Sequence, residues 1–429
     1  MIDETLKQER KDLIWLLEEG GRSPSLEDLK IFKDDHEIIL KATYILPEAI
    51  SCATNGLKNS RRFILKILKK NGLSLEFVIK EFQSDPEYVL EAVKNRGMAL
   101  KYADEKLKSD RDIVLAAIHQ NGNAIKYAAE NLKNDRNIIL KAVENQGSAL
   151  EHLDQSLKSD EEIVLTAISR NGSNFKYASK KLKDDSDFVL KAITKNGNSI
   201  EHINEKFKTD RDFVLRAVNS SPRSFEYIYE NFNNDRDIVL AAVKHGDNLK
   251  YVSEDFKDDK EIVLKALDDK DGHTLDLASE NLKNNKDIVL KAVKSSGTNL
   301  IYAADQFKKD REIFLEAIKT DINMLMPYHH PDGCIFRDDE EIMLIALSQF
   351  GHALEYADTS LQSNRNFILK AVKQGSKVNN HSLLRYCDEK FLSDKEVMVE
   401  AIKSDCEAYE FVHPNIKKSK EIVKAVNEH

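Results

Sequence analysis

The chain has 429 residues, 41% of them apolar, with 74 acidic against 65 basic side chains, 15 glycines, 7 prolines and 4 cysteines. Gly, Pro and Cys are too sparse for a collagen-like chain or a disulfide scaffold, and the apolar content is too high for a disordered acidic tail. The net charge of -9 is a small remainder of many charges of both signs, so the totals recommend no polyanion-binding stripe and make nucleic acid an unfavoured partner.

The first residues, Met1-Ile2-Asp3-Glu4, begin with acids, and the first apolar cluster, Leu13 to Leu17, is closed by Glu18-Glu19. A signal peptide needs a positive start and a longer apolar core. No run approaches the ~18 to 20 apolar residues of a membrane span. Cys52, Cys334, Cys387 and Cys406 form no CxxC pair and no disulfide framework. A cytoplasmic protein is expected, or one exported into a host cytosol without a cleavable signal. The segment Asp3 to Glu19, with Trp15, reads as a helix ended by Gly20-Gly21, and residues 1–34 read as an N-terminal helical cap.

From residue 35 onward one phrase governs the chain. Asp110-Arg111-Asp112-Ile113-Val114-Leu115-Ala116-Ala117 recurs as Asp135-Arg136-Asn137-Ile138-Ile139-Leu140-Lys141-Ala142 and as Asp210-Arg211-Asp212-Phe213-Val214-Leu215-Arg216-Ala217. Its leucine stands at Leu40, Leu65, Leu90 and so on to Leu240 at a constant spacing of 25, then at Leu264, Leu290, Leu315, Leu344, Leu369 and, as valine, Val399. Fifteen units follow. In the unit starting at Asp110, that aspartate opens a helix whose first turn carries Asp112. Ile113, Val114, Leu115, Ala117 and Ile118 form its apolar arc at ~100° per residue. Asn121-Gly122 is expected to end it, the glycine in the left-handed conformation. A second helix is expected to follow, with Ala124, Ile125, Tyr127, Ala128 and Leu132 in a stripe of roughly 160°. Ser148-x-x-Glu151 and Asn198-x-x-Glu201 suggest capping boxes at its start.

A two-helix unit of this length cannot bury its apolar faces alone, whereas stacked copies share a core. The expected fold is therefore all-α: an α-solenoid of about fifteen 25-residue repeats, continuous over residues 35–429, with a degenerate last unit at Glu421 to Ala425. The motif Asp-Arg-Asp-Ile-Val-Leu-x-Ala followed by Asn-Gly-x-x-Leu-x-Tyr-Ala, met at 110 to 128 with Ile125 for the second leucine and in its second phrase at 171 to 178 with Phe175, resembles the bacterial and protist tandem-repeat family known as domain of unknown function forty-one-sixteen. That resemblance covers roughly residues 35 to 425. It implies no activity; it makes an effector of an intracellular bacterium conceivable.

Stacking turns each repeat position into a ladder. Tyr102, Tyr127, His152, Tyr177, His202, Tyr227, Tyr251, Tyr302 and Tyr356 form one, either an aromatic track such as helical-repeat RNA readers use or a half-buried packing position; packing is favoured because the rings continue the apolar arc. Lys108, Lys133, Lys158, Lys183, Lys208, Lys257, Lys283 and Lys308 form a second, neutralised by the cap aspartate that follows each. The cap pairs Asp110-Arg111, Asp135-Arg136, Asp210-Arg211, Asp235-Arg236 and Asp310-Arg311 read as a solvated, weakly salt-bridged edge.

Three places break the register. One residue is lost and then regained in the turns after the first helices around Leu264. Four extra residues loop out at 324–334, where Pro327 and Pro331 forbid a helix. Five more lie in a turn at 375–383. Loops that depart from a repeat often carry function. The candidate partner-binding residues are accordingly Met324, Met326, Tyr328, His329, His330 and Cys334 in the first loop, and Asn379 and His381 in the second. His and Cys are metal-ligand types, but adjacent His329-His330 with no CxxC or HxxxH partner makes no tetrahedral set, so no metal and no cofactor is expected. A thiol nucleophile, Cys334 or Cys387 with His381, requires a base within hydrogen-bond reach. No Gly-rich phosphate loop, GxSxG or HExxH occurs. The expected function is a non-enzymatic scaffold that binds a protein partner. An effector enzyme with its site at the broken repeat, and an RNA-binding solenoid, are the alternatives.

Overall fold

A computed structural model describes residues 2–19, 24–269, 274–325, 335–374 and 380–428, which fall in two compact units, Met1–Tyr227 and Ile228–His429. Each unit is an α-solenoid, and no strand occurs among the described residues. None of their helices is long and apolar enough to cross a membrane. Every one of the fifteen register positions lies in a first helix, ten residues long in most repeats. The helix Arg111–Gln120 is typical. The Asp110 carboxylate accepts from the N–H groups of Asp112 and Ile113 at 2.9 and 3.1 Å, satisfying two donors that a helix start leaves open. Ile113, Val114, Ala117 and Ile118 are buried, at 0–3% exposure. Leu115, expected in the same arc, is only half-buried.

The second half of each repeat differs from the sequence expectation. In place of one helix there are three pieces: a 3-10 helix Gly122–Tyr127, an extended residue Ala128 (φ -68°, ψ 158°), and a four-residue α-helix Glu130–Lys133. The cause is a hydrogen bond to the preceding repeat. The extended residue aims the next N–H backwards, so that Ala129 donates to the carbonyl of Lys108 at 2.9 Å. Asp104 to Gln83, Ser179 to Lys158 and Ala304 to Lys283 repeat it at 2.9–3.1 Å. A continuous helix would have spent those donors internally. Ala124, Ile125, Ala128 and Leu132 are nevertheless all buried, because the break leaves them on one side. The capping boxes at Ser148 and Asn198 do not form. In the Ser148 repeat no side chain caps the 3-10 turn; elsewhere the residue that closes the first helix does so, as where the Asn121 side chain accepts from Asn123 N–H and that of Asn196 from Asn198 N–H.

The repeat glycine is also used differently from the expectation. Asn121, at the helix end, is extended (φ -152°), and Gly122 is the first residue of the 3-10 helix with no left-handed φ. What it supplies is room. A Cβ there would lie 2.2 Å from the carbonyl oxygen of Ala142 on the next first helix, and Gly72 and Gly97 stand at 2.1 and 2.3 Å from Ala92 and Ala117 in the same way. The junction is stitched by the last residue of that next helix. Asn145 accepts from Gly122 N–H at 2.9 Å and donates to His119 carbonyl at 2.9 Å; Asn95 does the same to Gly72 and Lys69. Asn145→Ala removes both bonds at once and is expected to cost about 1–3 kcal/mol. Asn145→Asp, which keeps the acceptor, should cost less; urea midpoints of the full chain check the order.

At the other end of the first unit, α1 (Ile2–Glu19) and α2 (Leu26–Ile31) lay Leu13, Leu17, Leu29 and Phe32 on Ile38, Ala42 and Ala49 of the first repeat. Ser25 and Asp28 form a true capping box on α2. Trp15 takes no part in this core: it is 63% exposed.

The register changes fall partly inside what is described. The first helices on either side of the changed spacing, Arg236–Ala242 and Lys260–Ala266, are both seven residues long. The residue regained lies at 270–273, outside the described residues. In the turn expected at 375–383, residues 375–379 are also outside, but Asn380–Leu384 is a short helix with Ser382, Leu383 and Leu384 buried.

Candidate functional site

Of the eight residues picked from the two loops, Met326, Tyr328, His329, His330, Cys334 and Asn379 lie outside the described residues. Met324 closes a 3-10 turn, Ile322–Leu325, and is 1% exposed. Its side chain fills the position that Ala124 holds in a regular repeat, so it belongs to the core and presents nothing to a partner. His381 is placed on the helix Asn380–Leu384 by its backbone, and its side chain is outside the description. Cys387 is buried, its thiol donates to Leu384 carbonyl at 3.4 Å, and burial pushes its pKa up to about 12. A thiol so enclosed stays protonated near neutrality, and a pairing of Cys387 with His381 as nucleophile and base has no support.

The three ladders resolve into internal contacts. Cap-following arginines reach forward to the cap of the next repeat: Arg111 to Asp135 at 2.5 Å, Arg236 to Asp259 at 2.6 Å, Arg365 to Asp394 and Glu396 at 2.6 and 2.8 Å. Arg10 of α1 plays the same part toward Asp35 and Glu37. These pairs are largely exposed, so they hold register more than they add stability. The guanidinium of Arg311 holds the Asp339 carboxyl below the usual carboxylate range, and Arg365 does so for Asp394. A depressed folded pKa adds stability that is fully present above the unfolded value of about 3.9 and is lost as pH falls through the folded value. The melting-temperature gap between wild type and Asp339→Asn should therefore be constant at pH 5–7 and close as pH drops below about 4.

Most of the lysine ladder is neutralised, but by a different acid from the one expected, while Lys158 and Lys183 donate to the carbonyls of Glu151 and Lys176. Lys108, Lys208 and Lys283 pair with Glu105, Glu205 and Glu280, three residues earlier in their own short helix, at 2.7–2.9 Å. The Tyr/His ladder is half-buried throughout. Burial, with a hydrogen bond to Glu76, pushes Tyr102 up to about 12, and burial lowers the pKa of His152. The preceding lysine covers the ring: Lys101, Lys126, Lys176 and Lys250 place Nζ 4.7–5.1 Å from the centroids of Tyr102, Tyr127, Tyr177 and Tyr251. Those ring faces are engaged within the chain, which favours the packing role over a stacking track.

Among the described residues the first helices keep one face open to solvent. On a ten-residue helix the second, fifth, sixth and ninth positions share one side, and the fifth is the register leucine. Among fifteen such positions only Leu190 is buried, at 9% exposure; the other fourteen are half-buried. The leucines line grooves between successive first helices. One, of about 930 Å³, runs beside Leu115 and His119 to Lys141 and Glu144, with Lys94 and Arg170 at its margins. Another, of about 450 Å³, has Leu165 and Leu190 on its floor and Lys191, Lys195 and Arg216 on its rim. Sequence reasoning used these leucines to count repeats and placed them in the buried arc; the lysines and arginines recurring one residue after them were the overlooked signal.

Matches to one family model, Domain of unknown function (DUF4116), tile the chain in overlapping segments from 35–83 through 85–133, 135–183, 185–233, 235–283 and 285–329 to 339–391 and 394–426. The chain belongs to this family. A DUF4116 match such as 85–133 spans two successive first helices, Pro86–Asn95 and Arg111–Gln120. The DUF4116 unit therefore contains one whole inter-repeat junction, including the approach of Gly97 to Ala117. No curated protein matches the chain.

Proposed function

We propose that the chain is a non-enzymatic helical-repeat scaffold that binds a protein partner along the exposed face of its first helices. One observation carries this reading: the register leucine recurs in fourteen repeats, with Val399 in the fifteenth, and yet, with the exception of Leu190, is never closed into the core. A residue needed only for packing is normally enclosed, as Ile113, Val114, Ala117 and Ile118 are in the same helix. A leucine left half open forgoes hydrophobic free energy of about 25 cal/mol for each Å² still wet, and a docked surface recovers it. Regularly spaced apolar side chains on a charged face are what a partner surface offers.

Affinity capture from cytosol followed by chemical cross-linking tests the proposal. A specific partner cross-linked to the lysines of the first-helix face, Lys66 and Lys141 among them, is the expected result. Failure to capture any specific partner, or cross-links confined to the short-helix lysines such as Lys108 and Lys283, would overturn it.

A further inference from the structure

Resting on that partner-binding reading, we propose that the first-helix face of residues 35–227 docks an acidic, leucine-bearing segment of another protein. Charge is sorted along these helices. At the cap, first and second positions of the eight first helices of this unit stand fourteen acids against five basic residues; at the sixth, ninth and tenth stand ten Lys or Arg against two Glu. The helix dipole explains acids at the start and bases in the last turn, but its influence fades within one turn of each end. It does not explain the sixth position, in mid-helix, where Lys41, Lys66, Lys141, Lys191 and Arg216 stand against the single acid Glu91. Nor do internal ion pairs explain the whole row. Lys41 meets Glu18 and Glu37, Lys191 meets Glu161 at 3.0 Å and Arg216 meets Asp187 at 3.8 Å, but Lys66, Lys141, Arg170 and Lys195 are exposed and have no ion-pair partner among the described residues.

A net-acidic chain thus presents a basic row beside its half-open leucines. The pairing of the two selects the occupant. A polynucleotide would meet the charge but not the leucines, because bases bind on aromatic faces, and across the fifth, sixth and ninth positions of this unit Tyr44 and His119 are the only rings. The acidic first-turn row, about one helix length away, also repels a broad polyanion. A protein segment with carboxylates on one side and aliphatic side chains on the other meets both rows. Packed helices lie about 8–10 Å apart, so an extended segment rising ~3.1 Å per residue sets every third side chain opposite a leucine.

The test titrates full-length protein with a fluorescein-labelled peptide of five Leu-Asp-Glu triplets, an all-glutamate peptide of equal length, and a uridine RNA homopolymer, following anisotropy at two salt concentrations. The leucine-acid peptide should bind at least tenfold tighter than polyglutamate and than the RNA. A variant carrying K66E, K141E, R170E and K195E, which breaks no internal ion pair, should lose at least tenfold affinity while its circular dichroism melt is unchanged. Equal binding of polyglutamate or RNA, or affinity untouched by the four reversals, would overturn the proposal. Should the reversed variant still capture the partners that wild type captures from cytosol, the basic row is not what they read and the acidic-segment proposal fails while the scaffold reading stands; should wild type capture none, the scaffold reading is what fails.

Discussion

Gly122→Ala is expected to destabilise the protein by about 1–3 kcal/mol, the range for forcing an extra methyl group into a closed interface. The added Cβ would stand 2.2 Å from the carbonyl oxygen of Ala142, 2.9 Å from the Cβ of Gln146 and 3.0 Å from its backbone nitrogen. No side-chain rotation relieves the first of these, because the atom belongs to helix backbone. Either the next first helix withdraws or the 3-10 turn lifts, and both movements pull at the bond from Gly122 N–H to Asn145. The same exchange at Gly56 supplies the control. A Cβ there meets nothing nearer than the Thr54 hydroxyl at 4.0 Å, within the helix Asn55–Lys58, so Gly56→Ala should be neutral or stabilise by up to about 1 kcal/mol. Urea unfolding of the two variants reads the result as midpoints moving in opposite directions at constant slope. Gly122→Ala with a midpoint equal to wild type would mean that the close approach does not govern the junction.

That contrast also marks what periodicity could and could not convey. The first helices were legible because their determinants are local: Asp110 caps the residues that follow it, and the buried quartet Ile113, Val114, Ala117 and Ile118 repeats within one helical turn. The second half was misread because its determinant is a neighbour. Ala124, Ile125, Ala128 and Leu132 fit a helical wheel, and nothing within the repeat says that Ala129 N–H will leave the helix for Lys108 carbonyl. Gly122 was assigned to a left-handed stop for the same reason, since the Ala142 carbonyl that demands it lies twenty residues away in sequence. Charge partners follow this pattern: Lys108 takes Glu105 in its own short helix, and the cap Asp110 that follows it in sequence keeps its carboxylate for the helix start. The leucine face was visible as letters, but its half-open state depends on how far apart consecutive first helices settle.

If the junction is the unit of stability, then removing one repeat in register should leave a folded protein. Deleting Arg111 to Asp135 joins Asp110 to Arg136, so the cap keeps an arginine after it and the phrase Asp-Arg-x-Ile runs on unbroken. Gly97 then faces Ala142 in place of Ala117, and its N–H, which now bonds to the Gln120 side chain, finds Asn145 at the same helix position. The expected product keeps its mean residue ellipticity and a cooperative melt, with a melting temperature lower by roughly 2–4 °C for each kcal/mol of lost interface. Deleting Arg111 to Gln120 alone has the opposite consequence, although it removes fewer residues. Gly97 loses both the carbonyl it packs on and the side chain that accepts its N–H, and Ala124, Ile125 and Leu132 lose the helix they cover. A cavity of that size, with several buried donors unsatisfied, exceeds the 5–15 kcal/mol by which a domain is usually stable. The shorter deletion should therefore be found aggregated or without a cooperative transition, and the longer one folded; the reverse order would show that the repeat in sequence is not the repeat that folds.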